Sequence, residues 1–398
     1  MKSKDYIELE KKFGANNYNP LDVVLERGEG VWVWDIEGNK YMDCLSSYSA
    51  VNQGHCNPRI LEAMKTQASK LAITSRAFRN DQLPLLYEKL HEISGKEMFL
   101  LMNSGAEAVE TAVKAVRKWG YTKKKVEENK AEIIVCQNNF HGRTTTVISF
   151  SSDEQYKDGF GAFTPGFKII PFGDTQALKD AITPNTVAFL VEPIQAEAGI
   201  FLPPKGYLQE VSKICKENNV LLVLDEIQTG LGRTGKMFAA QHEGVEADVI
   251  TIGKALSGGF YPVSAVLASA EVLGVFKPGD HGSTFGGNPL ACAVAKEALN
   301  VLIDEKLPEH ALEMGEYLVG KLKALNSPKV KEIRGIGLLI GIELTIPARK
   351  LCEELQNLGM LCKDTHGTVV RLTPPLIINK EQIDWAVEQI KTALEKVN

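Results

Sequence analysis

Val220-Leu221-Leu222-Val223-Leu224-Asp225-Glu226-Ile227-Gln228 and, further on, Val249-Ile250-Thr251-Ile252-Gly253-Lys254 decide the fold. Each opens as a short apolar run rich in β-branched residues, the pattern of a strand buried on both faces of a parallel sheet. Each closes on a chemically useful side chain, Asp225 in the first and Lys254 in the second. Ligands of open α/β sheets collect outside the carboxyl ends of the strands, so these two ends can face one pocket.

An acid and a lysine so placed suit pyridoxal phosphate. Its aldehyde needs a lysine to form a Schiff base, and its ring nitrogen needs a carboxylate to stay protonated and act as an electron sink. Taken alone, the same residues are more simply read as a capping aspartate and a surface lysine. The rest of the chain has to decide.

A chain of 398 residues, 44% hydrophobic, can bury a large core, and its length suggests two or three structural units. The formal net charge of -5 and the lack of a dominant basic block speak against nucleic-acid binding. The charged tract Lys123 to Lys130 alternates in sign and reads as a solvated helix end or loop. Seven cysteines form no CxxC pair, which points to free thiols in a reducing compartment, mostly as small core residues, and no metal is expected. The start of the chain has no apolar h-region, and its early acids Asp5, Glu8 and Glu10 are unlike an Arg-rich transit peptide. No stretch reaches the roughly 20 apolar residues that cross a bilayer. A cytoplasmic protein is expected.

Before the organising strands, Val31 to Asp35 and the following residues read as a hairpin with its turn at Gly38-Asn39. Leu45 to His55 is too rich in small and turn-forming residues for a regular element, and such a stretch caps or lines something. Met98 to Met102 reads as a strand, followed by Asn103-Ser104-Gly105-Ala106-Glu107 and a helix from Ala108 to Trp119. A glycine-bearing turn that opens a helix after a buried strand offers free N–H groups to a phosphate. A plain N-cap by Ser104, with Glu107 completing a capping box, explains the same residues and is compatible with anion binding.

Glu132 to Cys136, another strand, leads to Phe140-His141-Gly142-Arg143. Phe140 can stack on a heteroaromatic ring and Arg143 can bind a carboxylate in bidentate fashion, although a core Phe and a structural His are the simpler readings of single residues. Val187 to Val191 ends in Glu192, with Glu197 five residues on, two acids that can line a pocket or merely anchor a loop. Val263 to Ala268 is one more strand, and Asp280 to Pro289 is a loop whose hydroxyls and glycines suit an anion. From Leu290 the pattern changes to helices, a hairpin over Val330 to Leu344, a strand Val369 to Leu372 and a closing helix, a separate α+β unit. Pro374-Pro375 behind the last strand predicts that it lies at a sheet edge.

Asp225 with Lys254, the Ser104-Gly105-Ala106-Glu107 turn, Phe140-His141-Gly142-Arg143 and Gly282-Ser283-Thr284-Phe285 stand in one order along one chain. Together they resemble the class III pyridoxal-phosphate aminotransferases of fold type I, essentially end to end. Asn17-Tyr18-Asn19-Pro20, Ser46 to His55 and Gly258 to Leu267 look like the branch of that family that takes ornithine. One departure is the phosphate turn, whose Ser and Ala are common to class III relatives where some ornithine enzymes have Thr and Val. The match begins near the start of the sequence, unlike that of mitochondrial members, and a bacterial-type cytoplasmic protein is expected.

The resemblance implies an α/β fold. Its large domain would carry a mostly parallel seven-stranded sheet sandwiched by helices, beside a smaller α+β domain built from the N- and C-terminal segments. The expected boundaries are 1–45, packing with the small domain, 46–289 for the cofactor domain, and 290–398. Lys254 would carry the cofactor and then the proton between substrate and cofactor carbons, with Asp225 on the pyridinium, Gln228 on the ring hydroxyl oxygen, and Phe140 and Ile227 on the ring faces. His141, Glu192 and Ser283 would complete the cofactor site. Ser104, Gly105 and Ala106 would hold the phosphate together with Thr284 from the neighbouring subunit, making a homodimer part of the active site.

The implied reaction moves the δ-amino group of L-ornithine to 2-oxoglutarate, giving glutamate and glutamate 5-semialdehyde, which cyclises to pyrroline-5-carboxylate. Arg143 would hold the far α-carboxylate, with Tyr18 and Tyr48 near the α-amino group. Arg371 would take the α-carboxylate of 2-oxoglutarate, with Glu197 neutralising it while ornithine is bound. N-acetylornithine and 4-aminobutyrate aminotransferases share Asp225, Lys254, Glu197 and Arg371, leaving Tyr18 and Tyr48 to discriminate. An aminomutase of the same fold, needing no external keto acid, and a catalytically silent scaffold are the other readings.

Overall fold

The computed structural model describes residues 1–397. In chain order its strands are β1 (Leu25–Glu29), β2 (Trp32–Asp35), β3 (Lys40–Asp43), β4 (Met98–Met102), β5 (Glu132–Cys136), β6 (Phe167–Ile170), β7 (Thr186–Val191), β8 (Leu221–Asp225), β9 (Val249–Ile252), β10 (Ser264–Ala268), β11 (Val330–Ile336), β12 (Leu339–Leu344), β13 (Met360–Leu361), β14 (Lys363–Thr365) and β15 (Val369–Leu372). Seven of them form one sheet in the order β4-β10-β9-β8-β7-β5-β6. Only β10 runs antiparallel to its neighbours.

Every residue of β7, β8, β9 and β10 is buried, as continuous apolar runs require when both faces are covered. Side chains alternate between two cores. Leu222, Leu224, Ile250 and Ile252 meet Leu208, Val211 and Ile214 of the helix Tyr207–Glu217 on one side. Leu221, Val223 and Val249 meet Ala108, Val109, Ala112 and Val116 of the helix Gly105–Trp119 on the other. Each such valine, leucine or isoleucine contributes about 1.5–3 kcal/mol when fully buried, so the sandwich holds the sheet's carboxyl edge in place.

Two smaller sheets flank this frame. Strands β1, β2 and β3 pair in turn and are joined by β13, which ties residues 25–43 to 360–361, and the β2–β3 hairpin turns at Gly38-Asn39 as expected. The third sheet has the order β11-β12-β15-β14. Strand β15 therefore lies between two partners, not at the predicted edge. Pro374 and Pro375 follow the last residue of β15 and so remove no N–H from its ladder. No helix among the described residues is long and apolar enough to cross a membrane.

The helix Leu307–Ala324 packs on the turn between β11 and β12 with no room at Gly315, where a Cβ would stand 2.0 Å from the Gly337 carbonyl oxygen and 2.3 Å from its carbon. Helix propensity favours Ala over Gly by about 1 kcal/mol, whereas overpacking against backbone costs about 1–3 kcal/mol or more. The clash wins. Gly315→Ala is expected to lower the unfolding midpoint in urea, and an equal or higher midpoint would show that the contact yields.

Candidate active site

The parallel strands deliver their following residues to one edge. In the β8–β9 register Asp225 pairs with Thr251, three residues before Lys254. Val191 pairs with Leu224, which brings Glu192 level with Asp225, and the loop after β5 adds Phe140 and His141. The result is a cavity of about 200 Å³ lined by Gly105, Ala106, Phe140, His141, Glu192, Asp225, Ile227, Gln228 and Lys254, with Gly142 and Thr229 added by the fold.

Asp225 is buried and accepts three hydrogen bonds: from His141 Nδ1 to Oδ2 at 2.6 Å, and from Thr251 Oγ1 and the Ile227 N–H to Oδ1, both at 3.1 Å. Burial opposes a charged His141, but the hydrogen bond and charge of Asp225 outweigh it and hold its pKa above the usual histidine value. Glu192 is buried beside them and accepts the Phe140 N–H at 2.9 Å; burial pushes its carboxyl up to about 7. Burial likewise holds the Lys254 amine below its ordinary range, against the opposing pull of Glu197 and Asp225. Lys254 has φ +41, a left-handed backbone that an L residue adopts only where its surroundings hold it there.

The helix after β4 starts at Gly105, not at the expected Ala108, so the Ser-Gly-Ala turn is the helix N-terminus itself. The capping reading of that turn holds. The Glu107 N–H bonds to Ser104 Oγ at 3.2 Å and the Ser104 N–H to Glu107 Oε2 at 2.7 Å, completing the capping box. The box consumes neither the Gly105 nor the Ala106 amide. Ser104 is exposed, outside the cavity lining. A Cβ on Gly105 would stand 3.1 Å from Ile227 Cδ1, and one on Gly142 2.9 Å from Ala106 Cβ, so side chains there would fill the cradle. A small buried cradle with helix amides at one end, an aromatic and an aliphatic wall, a lysine and a carboxyl group fits pyridoxal phosphate.

Ser283 Oγ accepts hydrogen bonds from Asn103 Nδ2 and the Gly286 N–H, both at 3.0 Å, which fixes its loop against the turn at Asn103 to Glu107, while Thr284 beside it is exposed. Arg371 is 1% exposed and donates through Nη1 to Glu197 Oε2 at 2.6 Å and through Nη2 to Oε1 at 3.4 Å. Burial alone would raise the Glu197 carboxyl, but Arg371 holds it below its ordinary value. Tyr48 lies with its ring 5.1 Å from the Arg371 guanidinium. Its hydroxyl titrates above the ordinary value through burial, with Arg371 and Arg143 opposing and Glu197 and Tyr18 adding, so these side chains share one electrostatic neighbourhood. Tyr18 itself is 78% exposed. Arg143 is exposed and makes no ion pair among the described residues; its guanidinium lies 4.1 Å from the Tyr156 ring centroid and 5.9 Å from that of Phe140.

The sequence reading missed three features. Thr251 was hidden inside an apolar strand, and Tyr156 stands in an irregular loop without periodicity. Ser46 to Ser49, whose composition predicts no regular element, forms a turn in which all four residues have φ between 48 and 72, and it carries Tyr48.

Because Glu197 titrates below its ordinary value in the fold, its pairing with Arg371 stabilises the protein above the unfolded glutamate pKa and is lost as pH falls through the lower folded-state value. Breaking a fully buried pair costs about 3–5 kcal/mol; with the Glu197 side chain 23% exposed, about 2 kcal/mol is expected. Glu197→Gln is thus expected to be less stable than the unmodified protein at pH 7, with the gap closing in acid. A gap independent of pH, measured by urea unfolding, would contradict this assignment.

The family model described as "Aminotransferase class-III" matches residues 13–394. The chain is similar to the ornithine aminotransferase of Brevibacillus brevis, 63% identical over 393 residues that span 99% of this chain and 98% of that one. Among solved structures it is similar to the ornithine aminotransferase from Toxoplasma gondii ME49, with a TM-score of 0.98 and 44% identity over 99% of this chain and 95% of that one. It is also similar to the acetylornithine aminotransferase from Elizabethkingia anophelis, with a TM-score of 0.92 and 49% identity over the full length of both.

Proposed function

The chain belongs to the class-III aminotransferases, and from that premise we propose that it transfers the δ-amino group of L-ornithine to 2-oxoglutarate, yielding glutamate and glutamate 5-semialdehyde, which cyclises to pyrroline-5-carboxylate. Pyridoxal 5′-phosphate is the cofactor of this family; bound, it supplies an aldehyde that accepts and returns an amino group and a ring that takes up electrons.

On this reading Lys254 Nζ holds the cofactor and, once free, moves a proton at the substrate's δ-carbon. Burial lowers its pKa, which favours the neutral amine that such a base needs. Asp225, braced by His141 and Thr251, would keep the ring nitrogen protonated. Gln228 would bond the ring hydroxyl oxygen. The Gly105 and Ala106 amides and Ser104 would bind phosphate, with Ser283 bracing the loop that carries Thr284. The exposure of Thr284 supports lending it to the partner in a homodimer. The free cysteines, six of them buried, support a cytoplasmic setting.

One contrast carries the substrate reading: Arg371 is paired with Glu197, and Arg143 has no ion pair among the described residues. The carboxylate of an incoming amino acid is drawn to the available cation. On this reading the α end of ornithine would lie far from Lys254 and its δ-amine near it, with Tyr18 and Tyr48 beside the α-amino group. In the return half, Glu197 would release Arg371 to the α-carboxylate of 2-oxoglutarate. The full-length likeness to an acetylornithine aminotransferase keeps N-acetylornithine as a second reading.

A half-reaction without keto acid separates them. Ornithine is expected to bleach the cofactor absorbance quickly and to give trapped pyrroline-5-carboxylate, with N-acetylornithine and 4-aminobutyrate slow; faster bleaching by either of those overturns the substrate assignment. Full turnover should depend strictly on 2-oxoglutarate, which an aminomutase would not. Tyr48→Ile is expected to shift preference from ornithine toward 4-aminobutyrate, and unchanged relative rates would remove Tyr48 from the site.

A further inference from the structure

Tyr156 ends the short helical turn Glu154–Tyr156, which side-chain hydrogen bonds tie to its surroundings. Asp153 Oδ1 accepts the Gln155 N–H at 2.9 Å, Ser151 Oγ the Asp153 N–H at 3.1 Å, and Ser152 Oγ the Asn138 N–H at 2.7 Å, tying the turn to the loop that carries Phe140. The half-buried Tyr156 ring meets Phe140 edge to face, with centroids 6.2 Å apart and planes at 76°. Its face lies under the Arg143 guanidinium at 4.1 Å. A long flexible cation at the mouth of a site would ordinarily lose side-chain entropy on binding a ligand. An aromatic face below it, together with the side-chain hydrogen bond between Tyr156 and Arg143, holds it in place beforehand for a planar anion.

We infer that Tyr156 is a positioning residue for substrate choice: through its stack on Arg143 it presets the guanidinium to receive the α-carboxylate of an amino acid, and so favours substrates that carry one over otherwise identical amines. The inference rests on the reading above that Arg143 takes that carboxylate. It adds a residue that touches the carboxylate only through Arg143, and it links the carboxylate site to Phe140 on the cofactor cavity wall.

The test compares Tyr156→Leu, which keeps apolar bulk but no π face, with Tyr156→Phe, which keeps the face, in the holoenzyme. The substrates are ornithine and 1,4-diaminobutane, the same chain without the carboxylate. Tyr156→Leu is expected to weaken apparent binding of ornithine roughly tenfold, read as a higher KM at nearly constant kcat, and to leave the diamine unaffected. Tyr156→Phe should stay within about twofold of the unmodified enzyme on both. Calorimetric binding of L-norvaline, which has the α-carboxylate but no distal amine, should weaken in step with that of ornithine. The inference is overturned if Tyr156→Leu behaves like the unmodified enzyme on ornithine, if it loses equally on both amines, or if Tyr156→Phe loses as much as Tyr156→Leu. An Arg143→Leu variant that keeps its preference for ornithine over the diamine would defeat the underlying reading of Arg143. A preference lost with Arg143→Leu but kept with Tyr156→Leu defeats the inference about Tyr156 alone.

Discussion

A carboxyl group buried at the end of a strand is costly unless donors surround it, and the arrangement of the central sheet supplies three to Asp225. Thr251 reaches it only because β9 pairs with β8 in a register that sets the two residues side by side. His141 reaches it only because the loop after β5 folds back across the end of β7. The Ile227 N–H reaches it because the chain turns sharply after β8. Slipping either strand by one residue would turn Asp225 or Thr251 to the opposite face and leave a buried acid without partners. The apolar sandwich supplies the stability, but this bond set fixes which residues meet, and with them where Lys254 emerges.

That frame was largely legible in the sequence because its signals are local. Met98 to Met102 and Glu132 to Cys136 are short apolar runs bounded by polar turns, and they fold as the strands expected. Long-range order was less legible. The Pro374-Pro375 pair suggested an edge, but prolines beyond the last ladder residue say nothing about what lies on either side of it, and β14 pairs there. The Ser-rich stretch before Tyr48 was hidden for another reason: nothing in its composition announces a left-handed turn, since glycine, the residue that adopts it freely, is absent from Ser46 to Ser49.

That turn is held from outside. A left-handed conformation costs roughly 1–2 kcal/mol for each L residue, and four in succession need compensation. Asp43 Oδ1 accepts the N–H groups of Leu45 and Ser46, both at 2.9 Å, and Thr373 Oγ1 donates to the Leu45 carbonyl at 2.8 Å. Thr373 follows directly on β15, the strand that carries Arg371. Tyr48 and Arg371 are therefore set by the same clamp, and their 5.1 Å approach is a consequence of backbone placement as well as side-chain attraction.

The two arginines then differ in kind because of where each backbone puts them. Arg371, on an interior strand, is withdrawn from water and would be intolerable without Glu197. Arg143, on an exposed loop, needs no carboxylate from the chain, and an aromatic face suffices to hold it. On the proposed reading, a site that accepts carboxylates at two distances from one lysine would need one receptor that is always open and one that can be closed. Burial would create the second kind: a buried guanidinium attracts strongly, its counter-ion here is Glu197, and on that reading a competing carboxylate would have to replace this bond. Selectivity between the two ends of a diamino acid would then arise from the unequal cost of exposing each cation.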